Sequence, residues 1–150
     1  MSRRVLKRRL LSLSAGEGMA ILVFAWLYSR AAPPAGSGVL YAFVVLEFLL
    51  LQGSVYWATW LWWPARPDRA GVVRVYRALR PVNVALLLGL LPAVWLDGPH
   101  RLAATALGAF AAAEYVNYFQ RRLSYPLPEF LRRLVGLRFG PSLLSRELRR

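Results

Sequence analysis

Three carboxylates stand inside long apolar stretches of this 150-residue chain: Glu17, Glu47 and Glu114. A charge buried in bilayer hydrocarbon is costly, so each of them needs a partner, a proton or a bound cation. Glu114 is followed by Asn117, Tyr118 and Arg121 at i+3, i+4 and i+7, which sets all four on one helix face. Glu17 and Glu114 lie at equal distances from the inner ends of their stretches, roughly 10 Å below the interface at helical rise. Antiparallel packing of the first and last stretches would put them side by side. There they would share a proton or hold a cation entering from the cytoplasm. Glu47 lies farther out, roughly 20 Å from the inner edge by the same rise. Gln52, Tyr56 and Thr59 recur at i, i+4 and i+7 on a second face of its stretch, so that helix is expected to have protein neighbours on both sides.

The same residues admit a structural reading. Glu17 is positioned to reach Arg8 or Arg77, and Glu114 to meet Arg121 through a water, forming a clasp between helices. Such polar contacts contribute about 0.6 to 2 kcal/mol each. Other chemistry is largely excluded. The chain has no cysteine, which removes disulfides and iron–sulfur clusters, and its one histidine, His100, cannot make a usual zinc site. Serines have no base at a matching depth for a triad. Gly16-x-Gly18 lacks both a third glycine and a preceding strand, so it is no dinucleotide motif. No cofactor is expected, and the chain does not read as an enzyme, although lipid chemistry using carboxylates and arginines stays open.

Four elements must position these side chains. Hydrophobic residues make up 57% of the chain and mean hydropathy is +0.39. The apolar residues fall in long blocks at 10–28, 38–63, 82–96 and 102–120, and about 20 such residues span a bilayer as a helix. The predicted fold is an all-α membrane protein, a four-transmembrane-helix bundle with basic amphipathic cytoplasmic helices, organised around 38–63. Residues 1–9 form a basic amino terminus, and the apolar run after them is too long for a cleaved signal core. In 64–80, Val72, Val75, Tyr76 and Leu79 recur at helical spacing with arginines opposite, which predicts a short helix lying on the membrane surface. Pro81 suits the first turn of the third span, and Pro92 predicts a kink in it. Ala104, Gly108 and Ala112, four apart, predict a face that another helix backbone can approach closely. The tail, 121–150, places Leu127, Phe130, Leu131, Leu134 and Leu137 opposite Arg132 and Arg133. Gly140-Pro141 should end that helix, with a short one to follow from Ser142.

The formal net charge is +13, and of the 20 Lys and Arg residues all but Arg30 and Arg101 lie in the amino terminus, the 64–80 loop and the tail. Positively charged loops stay in the cytoplasm, so both termini are expected there, with the chain in the inner (plasma) membrane. Trp57, Trp60, Trp62 and Trp63 then form an aromatic belt at the cytoplasmic interface. The expected partners are the bilayer and its anionic phospholipids, contacted by Arg74, Arg77, Arg132, Arg133 and Arg138 at about 1 kcal/mol per basic residue. A single thin bundle also calls for a partner, either further copies of itself or a larger membrane protein. Nucleic acid is not an expected partner.

In size, number of spans and a carboxylate in its first span, the chain resembles the small multidrug-resistance exporters. It departs from them in its charge bias, since those exporters pair in opposite orientations, and in its long basic tail. The likeness is one of architecture and transfers no residue roles. The function expected is an oligomeric cation- or proton-linked transporter or channel, with Glu17, Glu47, Glu114, Asn117, Gln52 and Tyr118 as binding residues. The alternative is a non-catalytic accessory subunit or assembly factor of a larger membrane complex.

Overall fold

The computed structural model describes residues 3–31, 33, 37–62, 66–120 and 140–148, and these are all-helical. In order they form α1 (Arg3–Ala31), α2 (Gly38–Trp62), α3 (Arg66–Leu96), a 3-10 turn (Gly98–His100), α4 (Arg101–Phe119) and α5 (Leu143–Leu148). Three helices are long and apolar enough to cross a membrane: α1 over Leu10–Ala31, α2 along its whole length, and α3 over Arg69–Leu96. The fourth expected span corresponds to α4, which has 19 residues and carries Glu114 and Asn117 among its alanines.

The helix over 38–62 is central, packing against α1, α3 and α4. Its buried residues include Ala42, Val45, Leu46, Leu49, Leu50 and Tyr56 on the apolar side and Gln52 and Thr59 on the polar. Neighbours therefore cover most of α2, including the side that carries Gln52, Tyr56 and Thr59, while Val44, Leu51, Val55 and Trp62 leave one stripe exposed. Outward faces are apolar too. Met19, Leu22 and Trp26 of α1 and Leu88, Leu91 and Trp95 of α3 are all exposed. Helices with apolar residues on both inner and outer faces suit a hydrocarbon surround, where every backbone group is satisfied within the helix.

Between such helices packing and hydrogen bonds, rather than water exclusion, supply the attraction. Ser14 and Ser54 exchange hydroxyl-to-carbonyl hydrogen bonds of 3.2 Å each, joining α1 to α2. Tyr28 stacks on Phe43 with ring centroids 4.2 Å apart. Gly53 leaves the space that the Tyr118 ring fills, and Gly89 leaves the space for Tyr41, whose hydroxyl donates to the Leu86 carbonyl at 3.0 Å. A methyl group at either glycine would overlap the ring.

The start of α2 is capped from two directions. Ser37 Oγ accepts from the Leu40 N–H at 3.3 Å, a local N-cap. Asp97, in the turn between α3 and α4, accepts from the Val39 N–H at 2.9 Å. Two donors that the helix itself cannot satisfy are thereby paired.

The structure differs from the sequence expectation in α3. The 64–80 segment and the third span are not separate: one helix of 31 residues runs through both Pro81 and Pro92. Both prolines sit on exposed positions, where their rings crowd no neighbouring helix. The apolar face read as membrane-binding mostly points inward instead. Tyr76 is buried and donates to the Gln52 carbonyl, Val72 and Leu79 pack on the core, and only Val75 is exposed. Periodicity located that face correctly but could not say what covers it.

In α4, Ala104 and Gly108 are buried, with Gly108 against Leu90, while Ala112 is exposed and Ala111 takes the next buried place. The tail helix expected after Arg121, with Arg132, Arg133 and Arg138, lies outside the described residues. α5 falls within the short final helix expected from Ser142. It is tied back to α4 by Ser142, whose hydroxyl donates to the Tyr118 carbonyl and whose N–H donates to the Gln120 carbonyl at 3.2 Å.

Candidate functional site

α1 and α4 bring Glu17 and Glu114 within electrostatic reach of each other, both half-buried. Tyr118, one turn beyond Glu114 on α4, lies against both carboxyl groups. Its hydroxyl is buried and does not reach hydrogen-bond geometry with either. Asn117 donates from Nδ2 to Glu114 Oε2 at 3.4 Å. The absence of a side chain at Gly53 is what lets the Tyr118 ring lie across α2 at this point. Among the described residues, no guanidinium pairs with Glu17 or Glu114. Arg77, a sequence candidate for Glu17, instead donates to the Leu148 carbonyl at 3.3 Å. Arg121 lies outside the described residues.

The other two candidates stand apart from this pair. Glu47 shares its face of α2 with Phe43 and Ser54, which touch α1, and its Oε1 is buried without a hydrogen bond. Gln52 points toward α3, where it forms a closed amide pair with Asn83. Gln52 Nε2 donates to Asn83 Oδ1 at 3.0 Å and Asn83 Nδ2 donates to Gln52 Oε1 at 2.8 Å. Both residues are almost wholly buried, so the pair satisfies two amides that hydrocarbon could not. Its geometry assigns Gln52 to helix pairing. Asn83 is a partner the sequence reading missed. Its signal was a lone amide inside an otherwise apolar block.

A third cluster gathers where α2 ends and α3 begins. Arg69 is 2% exposed and grips Glu147 of α5 with two hydrogen bonds, Nε to Oε1 at 2.9 Å and an Nη to Oε2 at 3.0 Å. Tyr56 donates to the same Oε2 at 2.8 Å. Arg69 also donates to Thr59 Oγ1 at 3.2 Å, and its guanidinium carbon lies 3.8 Å from the centre of the Trp60 ring. A buried ion pair is stable only with this kind of completeness: two-pronged geometry, extra hydrogen bonds and an aromatic face. Neither Arg69 nor Glu147 was expected as a site residue. The available signal was the Tyr56 and Thr59 hydroxyls on one face of α2, which demanded polar partners.

Arg74 and Arg77, expected at lipid, are exposed on α3 beside α5. They border a cavity of about 580 Å³ that also includes Trp60, Arg146 and the Arg69–Glu147 pair. His100 sits in the 3-10 turn, its N–H bonded to the Asp97 carbonyl at 2.9 Å. No family model matches the chain, and neither a curated protein nor a solved structure matches it.

Proposed function

We propose that this chain is a four-span protein of the inner membrane, with both termini cytoplasmic, that binds a proton or small cation between Glu17 and Glu114 and moves it as part of an oligomeric transporter or channel. The observation that carries this reading is two half-buried carboxyl groups beside one buried, unbonded hydroxyl, with no guanidinium paired to either among the described residues. Like charges within electrostatic reach of each other in a poorly polarisable setting make each other's bare form costly. Tyr118 and Asn117 offer neutral donors sufficient for one negative charge. The second carboxylate then needs a proton or a cation, and exchanging one for the other is the minimum step of coupled transport.

The fourth span in this proposal is α4. At helical rise its 19 residues reach about 28 Å, close to the hydrocarbon thickness, and it packs on both α2 and α3. Positive charge in the amino terminus, the α2–α3 junction and the tail supports the orientation. Residues 121–150 complete the proposed cytoplasmic surface with their arginines. A bundle this thin encloses no wide path, which is why copies of itself or a larger membrane protein are part of the reading. Crosslinking in mild detergent that gives only monomer argues against that part.

Glu17→Gln and Glu114→Gln keep shape and remove charge, and liposome flux assays read the result. Either change is expected to abolish pH-dependent flux while the melting temperature stays nearly constant. A wild-type protein with no flux, whose variants lose stability, would sink the transport proposal and leave the accessory-subunit reading.

A further inference from the structure

The cavity between α3 and α5 has the shape and charge of a binding site that the carboxylate pair does not use. Its long wall is one face of α3, from Arg69 through Val73 to Arg77 at successive four-residue steps, and its other wall is Leu143 and Arg146 of α5. At about 580 Å³ it falls within the usual range for small-ligand pockets. Its charge is uneven in a telling way. Arg69 is fully engaged by Glu147 at the back, so that pair contributes no net charge. Arg74, Arg77 and Arg146 stand exposed around the opening. Arg77 uses one nitrogen on the Leu148 carbonyl, which anchors it to α5 and leaves the rest of its donors for a ligand. Three guanidiniums with no further carboxylate among the described residues that line the cavity call for an anion, and their planar forks match phosphate oxygens.

We propose that this cavity binds a phosphate group, with the guanidiniums of Arg74, Arg77 and Arg146 on its oxygens and the Arg69–Glu147 pair as the rigid back wall. Two sources carry that chemistry, an anionic phospholipid headgroup and a free phosphate compound. Val73, Leu143 and Trp60 line the apolar part of the same cavity, where the glycerol portion of a lipid fits. The bound phosphate bridges α3 to α5 and so fastens the carboxyl-terminal segment to the helices. The site shares no residue with the Glu17–Glu114 pair, and the two proposals stand or fall separately.

The test uses the full chain in neutral detergent micelles, titrated with short-chain phosphatidylglycerol, short-chain phosphatidylcholine, glycerol phosphate and inorganic phosphate, and read by native mass spectrometry and calorimetry. Arg74 and Arg146 form no side-chain hydrogen bond among the described residues, so an Arg74→Gln, Arg146→Gln double variant is expected to melt as the wild type does. It is expected to bind phosphatidylglycerol at least tenfold more weakly, and Arg74→Lys, Arg146→Lys to recover part of the loss. Displacement of the lipid by inorganic phosphate or glycerol phosphate at comparable concentration assigns a free phosphate compound as ligand. Resistance to that displacement assigns the lipid headgroup. Equal affinity for phosphatidylcholine, unchanged affinity in the double variant, or no saturable binding of any of the four probes overturns the proposal.

Discussion

Arg69 and Glu147 meet head to head with Tyr56, Thr59 and Trp60 gathered round them, whereas Glu17 and Glu114 flank Tyr118 with no ion pair to either among the described residues. Each cluster uses acidic residues and a tyrosine from α2 or α4, and each joins helices distant in sequence. They differ in completeness. In the first, both carboxylate oxygens accept hydrogen bonds, and the guanidinium is bonded to the carboxylate and to Thr59. In the second, a buried hydroxyl makes no hydrogen bond, and Asn117 donates to Glu114 Oε2 at a long 3.4 Å. Buried polar groups that exist to hold a fold together are normally satisfied, and the unsatisfied ones mark places where something else binds or moves. The contrast separates a satisfied cluster from an unsatisfied one.

The most severe way to test the contrast is Arg69→Met. It strips the guanidinium from the partly buried Glu147 carboxylate, and is expected to cost about 3 kcal/mol in denaturant unfolding from mixed micelles. Adding Glu147→Met should restore part of that loss, because an apolar pair of similar volume replaces the ionic one while the Tyr56 hydroxyl loses its acceptor. If the single change costs nothing, the cluster is no fastening. Next in size is Gly53→Ala. The added methyl overlaps the Tyr118 ring, with an expected cost of about 2 kcal/mol by the same unfolding measurement and with flux lost as Tyr118 is pushed away.

Matched tyrosine changes sharpen the comparison. Tyr56→Phe removes a hydrogen bond to a carboxylate and is expected to cost about 1.5 kcal/mol. Tyr118→Phe removes a hydroxyl that bonds nothing, so its unfolding free energy should move by less than about 0.5 kcal/mol. Equal losses at the two positions would erase the distinction drawn between the clusters. Smallest of all is the expected stability change on Glu17→Gln or Glu114→Gln, within about 0.5 kcal/mol of wild type, set against a complete loss of flux.

Much of this arrangement is readable from residue spacing. Apolar block length places α1 and α2, and the shared helical face of Glu114, Asn117 and Tyr118 together with equal depth brings Glu17 to the same point. Those are local rules, a rise per residue and a repeat of 3.6. The Arg69–Glu147 pair lies beyond such rules, since its members are 78 residues apart and nothing local links them. The pairing of Asn83 with Gln52 is likewise undetermined until the rotation of α3 against α2 is known. The continuity of α3 was obscured for a different reason. A proline after a basic amphipathic stretch reads as a boundary, yet a helix tolerates proline where the ring faces outward and the freed carbonyl finds other company.

The cap on α2 has a consequence for how the protein is made. The Val39 N–H is held by a carboxylate 58 residues later in the chain. During synthesis the second helix therefore exists before its outer cap does, and its leading turn carries an unpaired donor while the third helix is still emerging. Only when Asp97 arrives, at the end of α3, is that donor sealed. The bond thus ties the start of α2 to the far end of α3, and an α3 set one turn short would leave the Val39 N–H without this partner while Ser37 still caps Leu40.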